Sequence, residues 1–252
     1  MNILVVNDDG IRSRGLTELV RALSMVADVF VCAPETQQSG KSQAITIGLH
    51  NFIRIRETAV PFAVKSYMTD GTPADCTKVG LQFFREEGFP IDMVFSGINI
   101  GGNTGEDTLY SGTVGAAKEA AITGVRAVAV SVDNFRVRNF EPACRLAVRL
   151  IPYSMKHLTP DTILNLNVPD LPMEEIRGVR TTKLGGRFYL DQFNLKDDEL
   201  YMLEGAPVDL DGVDRELDIA ATADGYASIT PIHVDNTQYE LLEEVSSWDL
   251  TL

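Results

Sequence analysis

The stretch Ile3-Leu4-Val5-Val6-Asn7-Asp8-Asp9-Gly10 decides the fold of this 252-residue chain. Its first half is a short apolar run, and its second half consists of polar residues and a glycine, which favour a turn. A short apolar run without polar alternation is typical of a strand that is buried on both faces. Leucine and valine then recur at helical spacing in residues 16–23. The stretch therefore predicts a buried strand that leads through a turn into a helix.

The same alternation of short apolar runs and helical patterns continues through the first 170 residues. Further strands are predicted at residues 29–33, 93–95, 127–132 and 163–168, and further helices at residues 73–84, 111–123 and 142–151. Residues 46–68 are instead β-rich, which indicates an inserted antiparallel element. Strands that alternate with helices form βαβ units and a parallel sheet. We therefore predict an α/β fold, in which a Rossmann-like, doubly wound and mostly parallel sheet carries helices on both faces.

The last third of the chain differs in pattern and in charge. Residues 171–252 contain 18 acidic and six basic residues, and the whole chain has a net charge of −14. Helical periodicity fades here, and several short strand patterns replace it. We expect a Rossmann-like core in residues 1–170. Residues 171–252 should form a C-terminal acidic, β-rich arm or hairpin region with a closing strand, within the same structural unit.

Composition excludes several classes of protein. Hydrophobic residues make up 44% of the chain and charged residues 23%, which are values of a folded domain and not of a disordered one. The net negative charge argues against nucleic-acid polymers and anionic membranes as partners, since both attract cationic surfaces. The three cysteines are widely spaced and odd in number, so a disulfide framework is not expected. Neither a signal-peptide pattern nor an apolar segment of about 20 residues is seen, and we expect a cytoplasmic protein.

Polar clusters follow successive predicted strands, at the sheet edge where ligands bind in open α/β folds. The first contains Asp8 and Asp9, which come directly after the first strand. Two unit charges about 4 Å apart repel by about 4 kcal/mol at an effective dielectric of about 20. A divalent hard cation such as Mg²⁺ or Mn²⁺ would remove that repulsion, because carboxylate oxygens are its preferred ligands. The alternative is a solvated turn in which one aspartate caps the next helix.

Each of three further clusters can be interpreted either as part of a ligand site or as an ordinary turn or helix cap. Ser39 and Gly40 lie in a polar loop that resembles the end of a phosphate-binding P-loop, but Glu35 stands where that motif requires glycine. A second loop, at residues 96–103, is rich in glycine and asparagine and includes Asn99 and Asn103. Such a backbone can approach a ligand closely, or the loop can be no more than a long turn.

The last cluster opens the helix predicted at residues 111–123. Ser111 is a natural N-cap, and Gly112 and Thr113 follow it in the first turn. The N–H groups of that turn form an anion site, although an ordinary capped helix has the same pattern.

Competing catalytic templates fit poorly. The chain has neither G-x-G-x-x-G after its first strand nor G-x-S-x-G, so a nicotinamide dinucleotide and an α/β-hydrolase nucleophile are not expected. Its three histidines lie outside the four clusters, which disfavours a histidine nucleophile or a zinc site. Gly10 occupies the second acidic position of the Asp-x-Asp motif of haloacid-dehalogenase phosphatases.

Taken together, the clusters resemble the SurE family, the survival-protein nucleotidases. The matching stretches follow one another along nearly the whole chain: Ile3-Leu4-Val5-Val6-Asn7-Asp8-Asp9-Gly10, Ala33-Pro34, Gln38-Ser39-Gly40, Gly71-Thr72-Pro73-Ala74-Asp75-Cys76, Ser96-Gly97-Ile98-Asn99, Tyr110-Ser111-Gly112-Thr113-Val114-Gly115 and Gly225-Tyr226. The resemblance implies a metal-dependent phosphatase that acts on nucleoside 5′- and 3′-monophosphates, with short polyphosphate as a further substrate in some members. It also implies a C-terminal arm that is exchanged between the subunits of a homodimer or homotetramer.

The resemblance further implies that Asp8, Asp9, Ser39 and Asn99 bind one divalent metal ion per subunit, with Mg²⁺ or Mn²⁺ as the expected ion. Asp8 and Asp9 are then the predicted catalytic residues, and either could orient the attacking water. The predicted phosphate- and substrate-binding residues are Asn7, Gly40, Asn103, Ser111, Gly112 and Thr113. Two alternatives remain at this point. Asp8 could instead form a phosphoaspartate, or the same cradle could belong to a non-catalytic nucleotide- or phosphate-binding protein.

Overall fold

The computed structural model describes residues 1–185, 187–209 and 214–250. The strands within them are β1 Asn2–Val6, β2 Asp28–Pro34, β3 Ile55–Thr58, β4 Lys65–Thr69, β5 Met93–Ile100, β6 Arg126–Asp133, β7 Thr162–Pro169, β8 Val179–Thr181, β9 Arg187–Asp197, β10 Leu200–Asp209 and β11 Ala227–His233. The α-helices are α1 Arg14–Leu23, α2 Pro73–Glu86, α3 Asp107–Tyr110, α4 Gly112–Ile122, α5 Glu141–His157, α6 Asp218–Ala223 and α7 Leu242–Ser246. No helix among these residues combines the length and the apolar composition that a membrane crossing requires.

Nine strands form one sheet in the order β3-β4-β2-β1-β5-β6-β7-β11-β8. The six strands from β4 to β7 in this order are parallel neighbours. β3 is antiparallel to β4, and β11 is antiparallel to β7. From β1 the chain first adds strands on one side, at β2 and β4, and then crosses to the other side at β5. The predicted doubly wound α/β class is confirmed, with its topological switch point between β1 and β5.

The first strand is buried on both faces, as its continuous apolar run predicts. Ile3 and Val5 pack into a core that also contains apolar residues of α1 and α5. Leu4 and Val6 point to the opposite face, where they pack with residues of α2 and α4. Alternate side chains of a strand point to opposite faces, so helices on both faces require an apolar residue at every position. The helices on both faces are therefore confirmed.

Two segments of the core differ from the predicted elements. The strand predicted at residues 93–95 continues to Ile100, with an irregular register between Ser96 and Asn99. Residues 96–100 of the glycine- and asparagine-rich cluster are therefore strand and not loop. Pairing with β6 supplies backbone hydrogen bonds that the local sequence does not reveal. In the β-rich segment, β4 joins β2 in parallel, so this insertion extends the main sheet.

The C-terminal third contributes to the main sheet and also forms a separate hairpin. β11 pairs with β7 and β8 pairs with β11, while β9 and β10 form a two-stranded antiparallel sheet. The sequence pattern missed α6 and α7, because helices of five or six residues are too short to show periodicity. Residues 186, 210–213 and 251–252 of the predicted arm lie outside the described residues.

Candidate active site

The switch point of the sheet brings the first and third polar clusters together. Asp8 and Asp9 follow β1, and Asn99 lies near the end of the neighbouring strand β5. The carboxyl ends of parallel strands lie at the same edge of a sheet, and strand order reverses here, which leaves an open crevice. The sheet order therefore places residues that are about 90 positions apart in sequence around one crevice.

Asp8 is held by the first turn of α4. It is 3% exposed, and the Thr113 hydroxyl donates a hydrogen bond of 2.6 Å to Asp8 Oδ1 while the Thr113 amide donates one of 3.1 Å to Oδ2. A carboxylate at this position is favoured because the helix dipole is positive at its N-terminus. The approach is close enough to require glycine at position 112, where a Cβ would lie 2.9 Å from Asp8 Cβ.

Asp9 turns towards the end of β5. The backbone N–H of Ile100 donates a hydrogen bond of 3.1 Å to Asp9 Oδ2. Burial raises the pKa of Asp9 to about 6, the Ile100 N–H opposes this rise, and the charge of Asp8 adds to it. Burial also raises the pKa of Asp8, against its hydrogen bonds from Thr113. No lysine, arginine or histidine of the described residues forms an ion pair with either carboxylate.

The two uncharged metal-binding candidates are also oriented by hydrogen bonds. Asn99 Nδ2 donates to the carbonyl oxygen of Gly101 at 2.8 Å, which leaves its amide oxygen as the side-chain atom suited to a hard cation. The hydroxyl of Ser39 accepts a hydrogen bond of 3.0 Å from Gln37 Nε2. The buried carboxylate of Asp8, the partly buried carboxylate of Asp9, an amide oxygen and a hydroxyl form an all-oxygen donor set of the kind that Mg²⁺ and Mn²⁺ prefer. The residues present therefore fit a divalent cation.

The loop that carries Ser39 is fixed against α3 and α4. The amide of Ser42 donates to the carbonyl oxygen of Tyr110 at 2.9 Å, and its hydroxyl donates to that of Leu109 at 2.6 Å. The loop also crosses α4 so closely that a Cβ at Gly115 would lie 2.3 Å from the carbonyl oxygen of Ser42. The absence of a side chain at Gly115 thus allows this loop to reach the edge of the sheet.

A cleft of about 240 Å³ opens at this edge. The predicted site residues that line it are Asp8, Ser39, Gly40, Asn99, Asn103 and Ser111. Asp9, Gly112 and Thr113 are not among its lining residues, and the hydroxyl and the amide of Thr113 donate to Asp8. Asn7 is fully buried and its amide donates to Gly10 and Ser13, so it fixes the turn after β1.

Asn103 is the centre of a buried polar network. Its side chain donates to the hydroxyl of Ser131, and its backbone N–H donates to Asn167 Oδ1 at 2.7 Å. The side-chain amides of Asn165 and Asn167 both donate to its carbonyl oxygen. These contacts hold the cleft-lining loop onto β6 and β7. The two asparagines inside an otherwise apolar strand, β7, were the signal in the sequence that could have revealed this network.

Several residues that line or support the cleft were missed by the sequence interpretation. Tyr189 of the C-terminal hairpin lines it and donates a hydrogen bond of 3.1 Å to Asp107, which also lines it. Asp218 of α6 is fully buried and accepts a hydrogen bond of 2.9 Å from the amide of Gly105, in the loop that follows β5. Phe135, which follows β6, also lines the cleft and contributes an aromatic ring to it, as Tyr110 does.

The fold and the cleft together define the class of this protein: a doubly wound α/β protein with two adjacent carboxylates and a helix N-terminus at the switch point of its sheet. A family model described as "Survival protein SurE" matches residues 3–191. The chain belongs to the SurE family.

Individual relatives agree with this assignment over the full length of the chain. A protein of Heliobacterium modesticaldum named 5′-nucleotidase SurE is 42% identical, with 98% of this chain and 92% of that protein covered. A protein of the same name from Pelotomaculum thermopropionicum is 39% identical, with 97% and 94% covered. The crystal structure of the SurE protein from Aquifex aeolicus matches with a TM-score of 0.81 at 33% identity, covering 98% of each chain.

Proposed function

We propose that this protein is a metal-dependent phosphatase that hydrolyses nucleoside 5′-monophosphates, and also 3′-monophosphates and short polyphosphate. The relatives named 5′-nucleotidase support the first activity. The single structural observation that carries the proposal is the pair of adjacent carboxylates, a buried one held by the N-terminus of α4 and a partly buried one held by the end of β5. Two neighbouring carboxylates withdrawn from water without a cationic side chain are costly unless a cation joins them.

The metal is proposed to be one Mg²⁺ or Mn²⁺ ion per subunit, held by Asp8, Asp9, Ser39 and Asn99. The SurE family is metal-dependent in general. A divalent ion in such a site neutralises charge on a phosphoryl group and lowers the pKa of a bound water. Asn99 and Ser39 would add neutral oxygen ligands, so the two carboxylates would balance the charge of the ion.

The residues of the chain itself have separable roles in this proposal. Asp8 or Asp9 is proposed to orient the attacking water, and the N–H of Ile100 holds one oxygen of Asp9 in place. Thr113 positions Asp8. Gly40 and Ser111, which line the cleft, are proposed to contact the phosphoryl oxygens. Gly112 contributes through the close approach of α4 to Asp8.

The two alternative mechanisms receive less support. Both oxygens of Asp8 accept hydrogen bonds from Thr113, and the proposal assigns the remaining cleft-facing side of this carboxylate to the metal, so Asp8 has no oxygen free to attack phosphorus. A phosphate-binding protein without activity would have no use for two carboxylates beside a bound dianion. With a chiral phosphorothioate substrate in isotopically labelled water, we expect inversion of configuration at phosphorus, because direct attack by water is a single displacement. A trapped aspartyl-phosphate would instead support the covalent route.

The test of the proposed function is phosphate release from a panel of nucleoside monophosphates with Mn²⁺, with Mg²⁺ and with EDTA. We expect activity that EDTA abolishes and that Asp8→Asn and Asp9→Asn each lower at least 100-fold, with the thermal unfolding midpoint retained. Asp28→Asn, an exposed carboxylate at the start of β2, is the matched control and should leave the rate unchanged. Parental activity in either site variant would refute the assignment of these carboxylates.

We also propose that the C-terminal region joins subunits into a homodimer or homotetramer. The β9–β10 hairpin exposes large apolar side chains, among them Phe193 and Leu203, which are 71% and 52% exposed and directly opposite each other. Isolated two-stranded hairpins are marginally stable in water, so a partner surface would stabilise this one. Phe193→Asp combined with Leu203→Asp should lower the sedimentation coefficient to that of a smaller assembly. A native-size assembly would contradict this role.

A further inference from the structure

An exposed aromatic ring stands at the rim of the cleft. Phe135, directly after β6, lines the cleft and is 87% exposed. It lies over the glycine turn after β5, where a Cβ at Gly101 would be 3.1 Å from its ring. A fully exposed phenylalanine side chain lacks the stabilisation of about 1.5–3 kcal/mol that it would gain if it were fully buried. Other large apolar side chains of the described residues are as exposed, but Phe135 is the most exposed aromatic residue that lines the cleft, where a bound ligand would cover it.

The loop that presents this ring is held in place by one carboxylate. Asp170, which follows β7, accepts hydrogen bonds from the side chain of Asn134 at 2.9 Å and from the amides of Arg138 and Asn139 at 3.1 and 3.0 Å. Asn134 also accepts a hydrogen bond of 2.9 Å from the amide of Arg136. Phe135 therefore projects from a turn that is fixed on both sides. A residue whose backbone is already held loses less conformational entropy when a ligand stacks on its ring than one in a free loop.

The size of the cleft indicates which part of a nucleotide reaches the ring. Its volume of about 240 Å³ lies below the range of about 300–1,000 Å³ that encloses a drug-sized ligand. The carboxylates and the N-terminus of α4 are suited to the phosphoryl end of the substrate. The other end must then lie at the rim, where Phe135 and the 63% exposed Tyr110 present aromatic surface.

Resting on the proposed function, we propose that Phe135 is the nucleobase-binding residue of this site, and that it stacks on the base while the phosphate occupies the inner cleft. Phenylalanine has no polar group, so it recognises the presence of an aromatic base and not its hydrogen-bonding edge. Stacking of this kind is tolerant of base identity. Larger purine rings should gain more from it than pyrimidines, because they cover more of the ring. Tyr110 contributes to the wall next to the N-cap of α4.

The experiment compares AMP with ribose 5-phosphate, which has the same phosphate and sugar but no base. Aromatic-to-alanine changes at base-stacking positions reduce binding by about 5- to 150-fold. We expect Phe135→Ala to raise KM for AMP by about tenfold, with little change in kcat and no change in kcat/KM for ribose 5-phosphate. Phe135→Trp should restore the KM for AMP. Tyr153→Ala, a matched loss of an exposed ring on α5 away from the cleft, should change the kinetic constants for neither substrate.

Adenosine binding measured by calorimetry gives a readout that does not depend on turnover. Adenosine should bind wild-type protein about tenfold more tightly than Phe135→Ala. Equal adenosine affinity, or equal losses for AMP and ribose 5-phosphate, would overturn the proposal, because a structural role for Phe135 would affect both substrates alike. A wild-type protein that hydrolyses neither substrate would refute the phosphatase instead, and adenosine binding would still decide the role of Phe135.

Discussion

The hydrogen bond from Thr113 to Asp8 offers the sharpest test of how the site is built. Thr113→Val removes the hydroxyl and nearly preserves the shape of the side chain. The lost hydrogen bond is 2.6 Å long and joins two groups that are almost fully buried. No water can easily replace the hydroxyl at such a position. The carboxylate of Asp8 would keep the amide of Thr113 as a donor but would be less firmly oriented.

The expected effect follows from the charge and burial of Asp8. A hydrogen bond to a charged group contributes about 1.5–3 kcal/mol, which corresponds to about 10- to 150-fold in an equilibrium constant. Loss of a residue that orients a metal ligand typically costs about 10–100-fold in metal affinity or activity. We therefore expect Thr113→Val to weaken Mn²⁺ binding about 10- to 100-fold, measured by calorimetric titration of the metal-free protein, and to raise the Mn²⁺ concentration for half-maximal activity correspondingly.

Two control variants separate this effect from general destabilisation. Thr113→Ser keeps the hydroxyl and should keep most of the metal affinity. Thr17→Val removes a threonine hydroxyl that donates to the backbone of Ser13 in α1, away from the cleft, and should leave metal binding unchanged. A Thr113→Val protein that is folded and titrates with Mn²⁺ like the wild type would refute the reasoning, because the hydroxyl would then not orient the ligand.

Three further predictions follow from the contacts around the site. Asn99→Ala should raise the metal concentration needed for half-maximal activity, and an unchanged titration would remove Asn99 from the ligand set. Gly115→Ala should displace the loop at Ser42 and lower kcat/KM for AMP at least tenfold, since its Cβ would lie 2.3 Å from a backbone oxygen. Because burial raises the pKa of Asp218 above its value in the unfolded chain, the folded protein should lose stability as pH rises from about 4 through that raised pKa. Asp218→Asn should abolish the part of the pH dependence that comes from Asp218. The difference in thermal unfolding midpoint between this variant and the wild type should therefore change between pH 4.5 and pH 7.5, and a constant difference would contradict the prediction.

Elements with a strong local pattern could be predicted from the sequence. β1 could be predicted from its apolar run alone, because a strand that is buried on both faces does not alternate between polar and apolar residues. The start of α4 followed from Ser111, whose side chain accepts a hydrogen bond from the amide of Val114 as an N-cap should. The carboxylates of Asp8 and Asp9 were placed correctly at the end of β1, because the turn follows the strand directly.

Features that depend on distant pairing could not be predicted in the same way. The continuation of β5 to Ile100 depends on its neighbour β6, and the role of Thr113 depends on a contact that spans 105 positions. Because Thr113 lies in the first turn of a predicted helix, it was expected to bind the phosphate of the substrate. In the folded protein its polar groups face Asp8. Asp218 lies in a region that the sequence associated with assembly, yet it supports the cleft-lining loop at Gly105.

The sequence by itself determined the α/β class, the Ser111 N-cap of α4 and the location of two carboxylates after the first strand, because each depends on residues that are close in the chain. Only the tertiary structure decided which side chains orient those carboxylates and that Phe135, fixed through Asp170, reaches the same cleft. The physical reason is the order of strands in the sheet. Hydrogen bonding and burial between β1, β5 and β6 bring together segments that have no local signal of their proximity.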